Sequence, residues 1–100
     1  MSQNVGILAL LHAKPGKEGE LRAFLEAGRA LAVEEQGTVN WYAFQVDEGT
    51  FGIFDTFADD NGRQAHLAGL VAQALQQRGP DLFSRPPVIE RIDVLACKLP

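Results

Sequence analysis

The chain has 100 residues, 46% of them hydrophobic and 22% charged, which is enough for one core and too little for two. A net charge of −4 without a cluster of Lys and Arg excludes the concentrated basic footprint that nucleic acid or an anionic membrane surface requires. No apolar run approaches the roughly 20 residues needed to span a bilayer, and Met1 to Leu11 lacks the basic start and small-residue cleavage site of an export signal. The expectation is a single cytoplasmic domain over residues 1–100. Cys97 is the lone cysteine, so no intrachain disulfide can form. Its alternating apolar surroundings predict a small core residue, not a nucleophile.

The run Val5 to Leu11 ends at Lys14-Pro15-Gly16 and reads as a strand followed by a turn. Between Lys17 and Gln36, Leu21, Phe24, Leu25, Gly28, Leu31 and Ala32 fall on one helical stripe, with Arg22, Glu26 and Arg29 turned away. Gly28 in that stripe allows the helix to approach the sheet closely, and Gly37 is the expected C-cap.

Thr38 to Val46 and Thr50 to Ala58 are rich in β-branched and aromatic residues and are joined by Asp47-Glu48-Gly49, which predicts a hairpin. Asp59 or Asp60 can cap a second helix carrying Leu67, Leu70, Val71, Ala74 and Leu75 until Gly79-Pro80 stops it, with Asp81-Leu82-Phe83 able to add one further turn. Val88 to Leu99, after Pro86-Pro87, is the expected last strand. The order β-α-β-β-α-β predicts an α+β ferredoxin-like fold, with both helices on one face of a four-stranded antiparallel sheet. In the first hairpin strand Val39, Trp41 and Ala43 share one face while Asn40, Tyr42 and Phe44 share the other. Neither face is properly polar, so the uncovered one implies a homodimer or an apolar ligand.

The element order, the Lys14-Pro15-Gly16 turn, Glu35-Gln36-Gly37, and the stretch Phe51 to Leu67 (FGIFDTFADDNGRQAHL) together resemble the antibiotic biosynthesis monooxygenase family over nearly the whole chain. The resemblance implies a dimeric α+β barrel, with the two sheets facing each other and an apolar pocket between each sheet and its own helices. Some members oxidise phenols or hydroquinones with dioxygen without metal or flavin, some degrade haem, and many have no demonstrated reaction. A Glu-x-Trp pattern in such members is occupied here by Asp55-Thr56-Phe57, and the following histidine is kept as His66. With no Asn in Val5 to Leu11 and no Trp at position 57, haem degradation is disfavoured.

Cofactor-free oxygenation needs a base to take a phenolic proton in a dry pocket, and imidazole has a pKa close to the working pH. His66, about 100 degrees round the helix from Leu67 and beside Leu70, is the candidate base; the competing reading is a border histidine bonded to the sheet or to solvent. Asp55 shares a strand face with Phe51, Ile53 and Phe57, so it is either a second catalytic group or half of an ion pair with Arg63 or Arg91. Asn40, Tyr42, Phe44, Phe54, Phe57 and Leu70 are the candidate substrate-binding residues, although a dimer interface enriches the same aromatic types. His12 reads as a solvated turn residue. Metal-ligand spacing, phosphate loop and Ser-His-Asp arrangement are all missing, so the expectation is no cofactor, a small aromatic or quinol-like ligand, and either oxidation of it or binding without turnover, as in a ligand-binding or stress-related module.

Overall fold

A computed structural model of the protein describes residues 4–100. The elements are β1 (Val5–His12), α1 (Glu18–Val33), β2 (Thr38–Asp47), β3 (Thr50–Phe57), α2 (Asp60–Leu67), α3 (Leu70–Leu82) and β4 (Val88–Asp93). The four strands form one sheet in the order β2-β3-β1-β4, every neighbouring pair antiparallel. This is the ferredoxin-like arrangement expected from the alternation of the sequence.

Strand alternation divides the sheet. Ala9 and Leu11 of β1 and Phe51 and Ile53 of β3 are buried against Leu21 and Leu25 of α1 and Leu82 at the end of α3, because residues two apart on a strand share a face. Trp41 of β2 packs against the same core, and a Cβ on Gly28 would stand 3.5 Å from its ring, the close helix-to-sheet approach that the glycine permits. On the opposite face Tyr42 stacks on Phe54 with centroids 6.4 Å apart, Phe44 lies over Gly52, and Asn40 Nδ2 donates to Thr56 Oγ1 at 3.2 Å. No element among the described residues covers that face, and Tyr42 is 52% exposed.

Five expectations are corrected. The second helix breaks after Leu67 and restarts at Leu70. Gly69 N–H donates to His66 O at 3.0 Å, and a Cβ at Gly69 would meet Glu35 Oε2 at 2.7 Å, so the break lets a carboxylate close in. Gly79-Pro80 does not stop α3, which continues to Leu82 with Pro80 inside it. Proline loses one helical donor so near the end, while Lys14 Nζ donates to Pro80 O and Phe83 N–H to Gly79 O.

Gly37 is not the cap of α1, which ends at Val33 with Glu34 as C-cap. Gly37 instead approaches Gly62 of α2 so closely that a Cβ on it would lie 2.9 Å from the Gly62 Cα. The last strand stops at Asp93, not Leu99. Its partner β1 begins at Val5, opposite Asp93, and one further rung from Val94 N–H to Asn4 O uses up the described backbone there. Leu95 is consequently 96% exposed, and Cys97 is exposed instead of buried in the core. No helix among the described residues is long and apolar enough to cross a membrane.

Candidate functional site: a buried imidazole and an apolar cleft

The candidate base lies at the end of α2. Asp59 caps this helix by accepting from Gly62 N–H at 2.9 Å, as its short oxygen-bearing side chain suits it to do. Arg63, one turn on, pairs with Asp60 at 2.8 Å and donates to the carbonyls of Gly6 and Ile92, which pins the helix to the sheet. His66 thereby enters the helix-facing side of the sheet, 7% exposed.

Its two ring nitrogens face two carboxylates. Nδ1 contacts Glu35 Oε1, and Nε2 lies 2.8 Å from Asp55 Oδ2; Phe57 lies beside the ring with centroids 5.1 Å apart. Glu35 Oε1 also accepts from the Thr38 hydroxyl at 3.0 Å. Asp55 is wholly buried, and among the described residues neither of its oxygens has a well-aligned hydrogen bond, so the nearby imidazole is its main compensation. Burial alone pushes the imidazole pKa down and is the largest single influence, but the hydrogen bonding and charge of Asp55, followed by those of Glu35, outweigh it and hold His66 above the usual 6.5. The two carboxylates thus favour the protonated ring over the neutral one, and a protonated ring has no acceptor nitrogen left.

The partner expected for Asp55 was an arginine. Arg63 instead serves Asp60 and backbone carbonyls, and Arg91 stands in register with Ile7 on the edge strand, exposed. Glu35, the partner that sequence reasoning missed, lies beyond the end of α1 and 31 residues from His66, where no helical or strand period connects the two.

Of the predicted site residues, His66, Asp55 and Phe57 come together. Asn40, Tyr42, Phe44 and Phe54 stand across the sheet from them, since they alternate with Trp41 and Asp55 along β2 and β3. Leu70 starts α3 and is 49% exposed. The sheet itself separates the aromatic wall from the imidazole.

A larger space lies elsewhere on the helix side. A cleft of about 640 Å³ opens between α3, residues 83–87 and β4, within the size range of small-molecule sites. Leu67, Leu75, Phe83 and Ile89 give it apolar walls, and Lys14, Gln76, Ser84 and Arg85 bring polar ends to it. The Arg85 guanidinium donates to His12 Nε2 at 3.0 Å, and Ser84 N–H donates to His12 O, so His12 braces the cleft instead of standing free in a turn. Leu67 ties the two regions together, for it lines the cleft directly after His66 in the chain.

This sheet order, with helices on one face and a cleft on the helix side, defines the class: the ferredoxin-like α+β fold of the antibiotic biosynthesis monooxygenase-like proteins. A Caulobacter crescentus protein provisionally named as such a monooxygenase superposes with TM-score 0.77 at 22% identity, over 94% of this chain and 92% of the other. A Pseudomonas aeruginosa protein superposes at 0.82 and 22%, over 96% and 98%. A Nitrosomonas europaea protein of unknown function is nearer, with TM-score 0.96 and 46% identity over 98% of this chain and 95% of the other, and the chain belongs to the same family as that protein. No family model and no curated protein matches the sequence.

Proposed function

We propose that the protein binds a small phenolic or hydroquinone-like molecule in the cleft between α3 and β4 and oxidises it with dioxygen, without metal or flavin. The observation that carries this reading is the cleft itself: apolar walls of the right size for a flat ring, with two cationic side chains, Lys14 and Arg85, among its lining residues. A cation beside a phenol favours the phenolate, and that electron-rich anion is what gives an electron to dioxygen. For a phenol with a free para position, one oxygen atom enters the ring as the second quinone carbonyl. The other leaves as water, with the phenolic and the para hydrogen.

In this arrangement the phenolic proton passes to solvent or to His12, once Arg85 turns from the imidazole to the ligand. His66 and Asp55 hold the end of α2, and so Leu67, against the cleft. Direct proton transfer by His66 requires one carboxylate to release a ring nitrogen. A second copy covers the open face carrying Tyr42, Phe44 and Phe54, because an apolar surface of this extent is rare on a monomer.

Binding without turnover is the second reading, and it is favoured by the engagement of both His66 nitrogens. An oxygen electrode separates the two: metal-free protein should consume dioxygen with some member of a hydroquinone and phenol panel. Ligand-induced thermal stabilisation with no oxygen uptake across the panel supports the binding reading and removes the oxidative one. Sedimentation at micromolar concentration tests the dimer, which a stable monomer would exclude.

A further inference from the structure

A second, smaller space lies under α1. Phe24, Leu31, Trp41, Ile53, Ala74 and Leu75 help line a partly open recess of about 80 Å³ with almost no polar surface. Apolar cavities of about 150 Å³ stay dry and accept benzene or xenon; this one has about half that volume, too little for an aromatic substrate. It also lacks the 2–4 polar partners that an ordered water needs. What fits is a small apolar molecule of diatomic size. Leu75 lines both this pocket and the large cleft, so the two spaces adjoin at that side chain.

We propose that the pocket under α1 is a dioxygen-holding site that supplies the cleft past Leu75. The inference rests on the oxidative reading of the cleft for its purpose, but the occupancy of the pocket can be measured without turnover. Dioxygen is small and apolar and gains by leaving water for hydrocarbon surroundings. A reservoir one side chain from the ring would raise its concentration where the phenolate forms, and the chain places no charged group on the wall to disturb it.

Trp41 is the only tryptophan and lines the pocket, so its fluorescence reports occupancy directly. The expected result is that dissolved dioxygen quenches Trp41 severalfold more efficiently than acrylamide, which is too large and too polar to enter. Crystals pressurised with xenon should show the gas in the pocket. Ala74→Leu, which fills the pocket without touching the cleft, should weaken dioxygen quenching and raise KM for dioxygen while leaving binding of a phenolic probe unchanged. The inference is overturned if xenon is absent from the wild-type pocket and dioxygen quenches Trp41 no better than acrylamide does; both measurements use the native chain, so a poorly folding variant does not blunt them. Xenon binding and strong quenching without oxygen uptake on any phenol would establish the gas site and overturn the oxidative reading instead.

Discussion

The two regions that meet at residues 66 and 67 are built on opposite principles. Around His66 polar groups are gathered in the interior, with Asp55 fully buried and the ring set between Glu35, Asp55 and Phe57. Around Leu67 the walls are mostly apolar, the space is open, and Lys14 and Arg85 are the charged residues of its lining. Residue types associated with catalysis can thus mark the stiffest part of a protein, while the room for a ligand is made by leucines, a phenylalanine and prolines that no motif distinguishes.

The largest expected effect comes from removing the buried cation. His66→Ala leaves two buried carboxylates facing a hole, and breaking a buried ion pair from one side costs about 3–5 kcal/mol, a large part of the ~5–15 kcal/mol that holds a domain together. Urea denaturation measures it. A loss under about 1 kcal/mol would show the cluster to be solvated and not structural. Replacing the three together by apolar residues of similar volume, Glu35→Leu, Asp55→Leu and His66→Leu, should cost less than the single change, since no charge is then left unpaired.

The next effect is a pH dependence with a definite sign. The folded-state pKa of His66 is raised above 6.5, so the stability it contributes is fully present below about pH 6.5 and is lost as pH rises through the folded value. Thermal melts from pH 6 to 9 should therefore show a falling Tm in the wild type, and His66→Gln should flatten that slope. A wild-type Tm that climbs over this range would mean that the carboxylates do not govern the imidazole.

Much of this contrast was out of reach of the sequence, for physical reasons. The first three strands, the hairpin and the Asp59 cap follow from period-two alternation and short-range capping, which are local, and those elements lie where the sequence puts them, whereas the last strand stops short of its apolar run. Gly69 and Gly79-Pro80 carry the same local signal, yet one breaks a helix and the other does not; what differs is Glu35 beside Gly69 and Lys14 beside Pro80, both distant in sequence. Alternation did contain a warning about the site. Phe54 and Asp55 are neighbours on one strand and so face opposite ways, which sets the aromatic wall and the imidazole on different sides of the sheet. The cleft is assembled from a turn, two helices and the residues before the last strand, a combination without any sequence period.

Sharpening the comparison from the cleft side requires a smaller change. Arg85 is exposed and its bond to His12 is at the surface, so Arg85→Ala should leave stability within about 0.5 kcal/mol. Removing a charge-assisted hydrogen bond to a phenolate should weaken ligand binding by about tenfold, read by titration calorimetry above and below the ligand's own pKa. Equal loss for the phenol and its anion would place the ligand away from the cationic end.

The smallest expected effect lies in the tail beyond β4. Cys97 falls where the alternation Val-Leu-Ala-Cys reads as a buried strand, but among the described residues it has no strand partner, and it is exposed. Because it touches neither the charged cluster nor the cleft, Cys97→Ser under reducing conditions should change stability by no more than about 0.5 kcal/mol and leave ligand binding unaltered, and the native thiol should react with a maleimide as fast as a free peptide thiol does. Strong protection of that thiol at dimer-forming concentrations, relieved on dilution, would show that a second copy covers the tail and extends the apolar region of the molecule beyond the cleft.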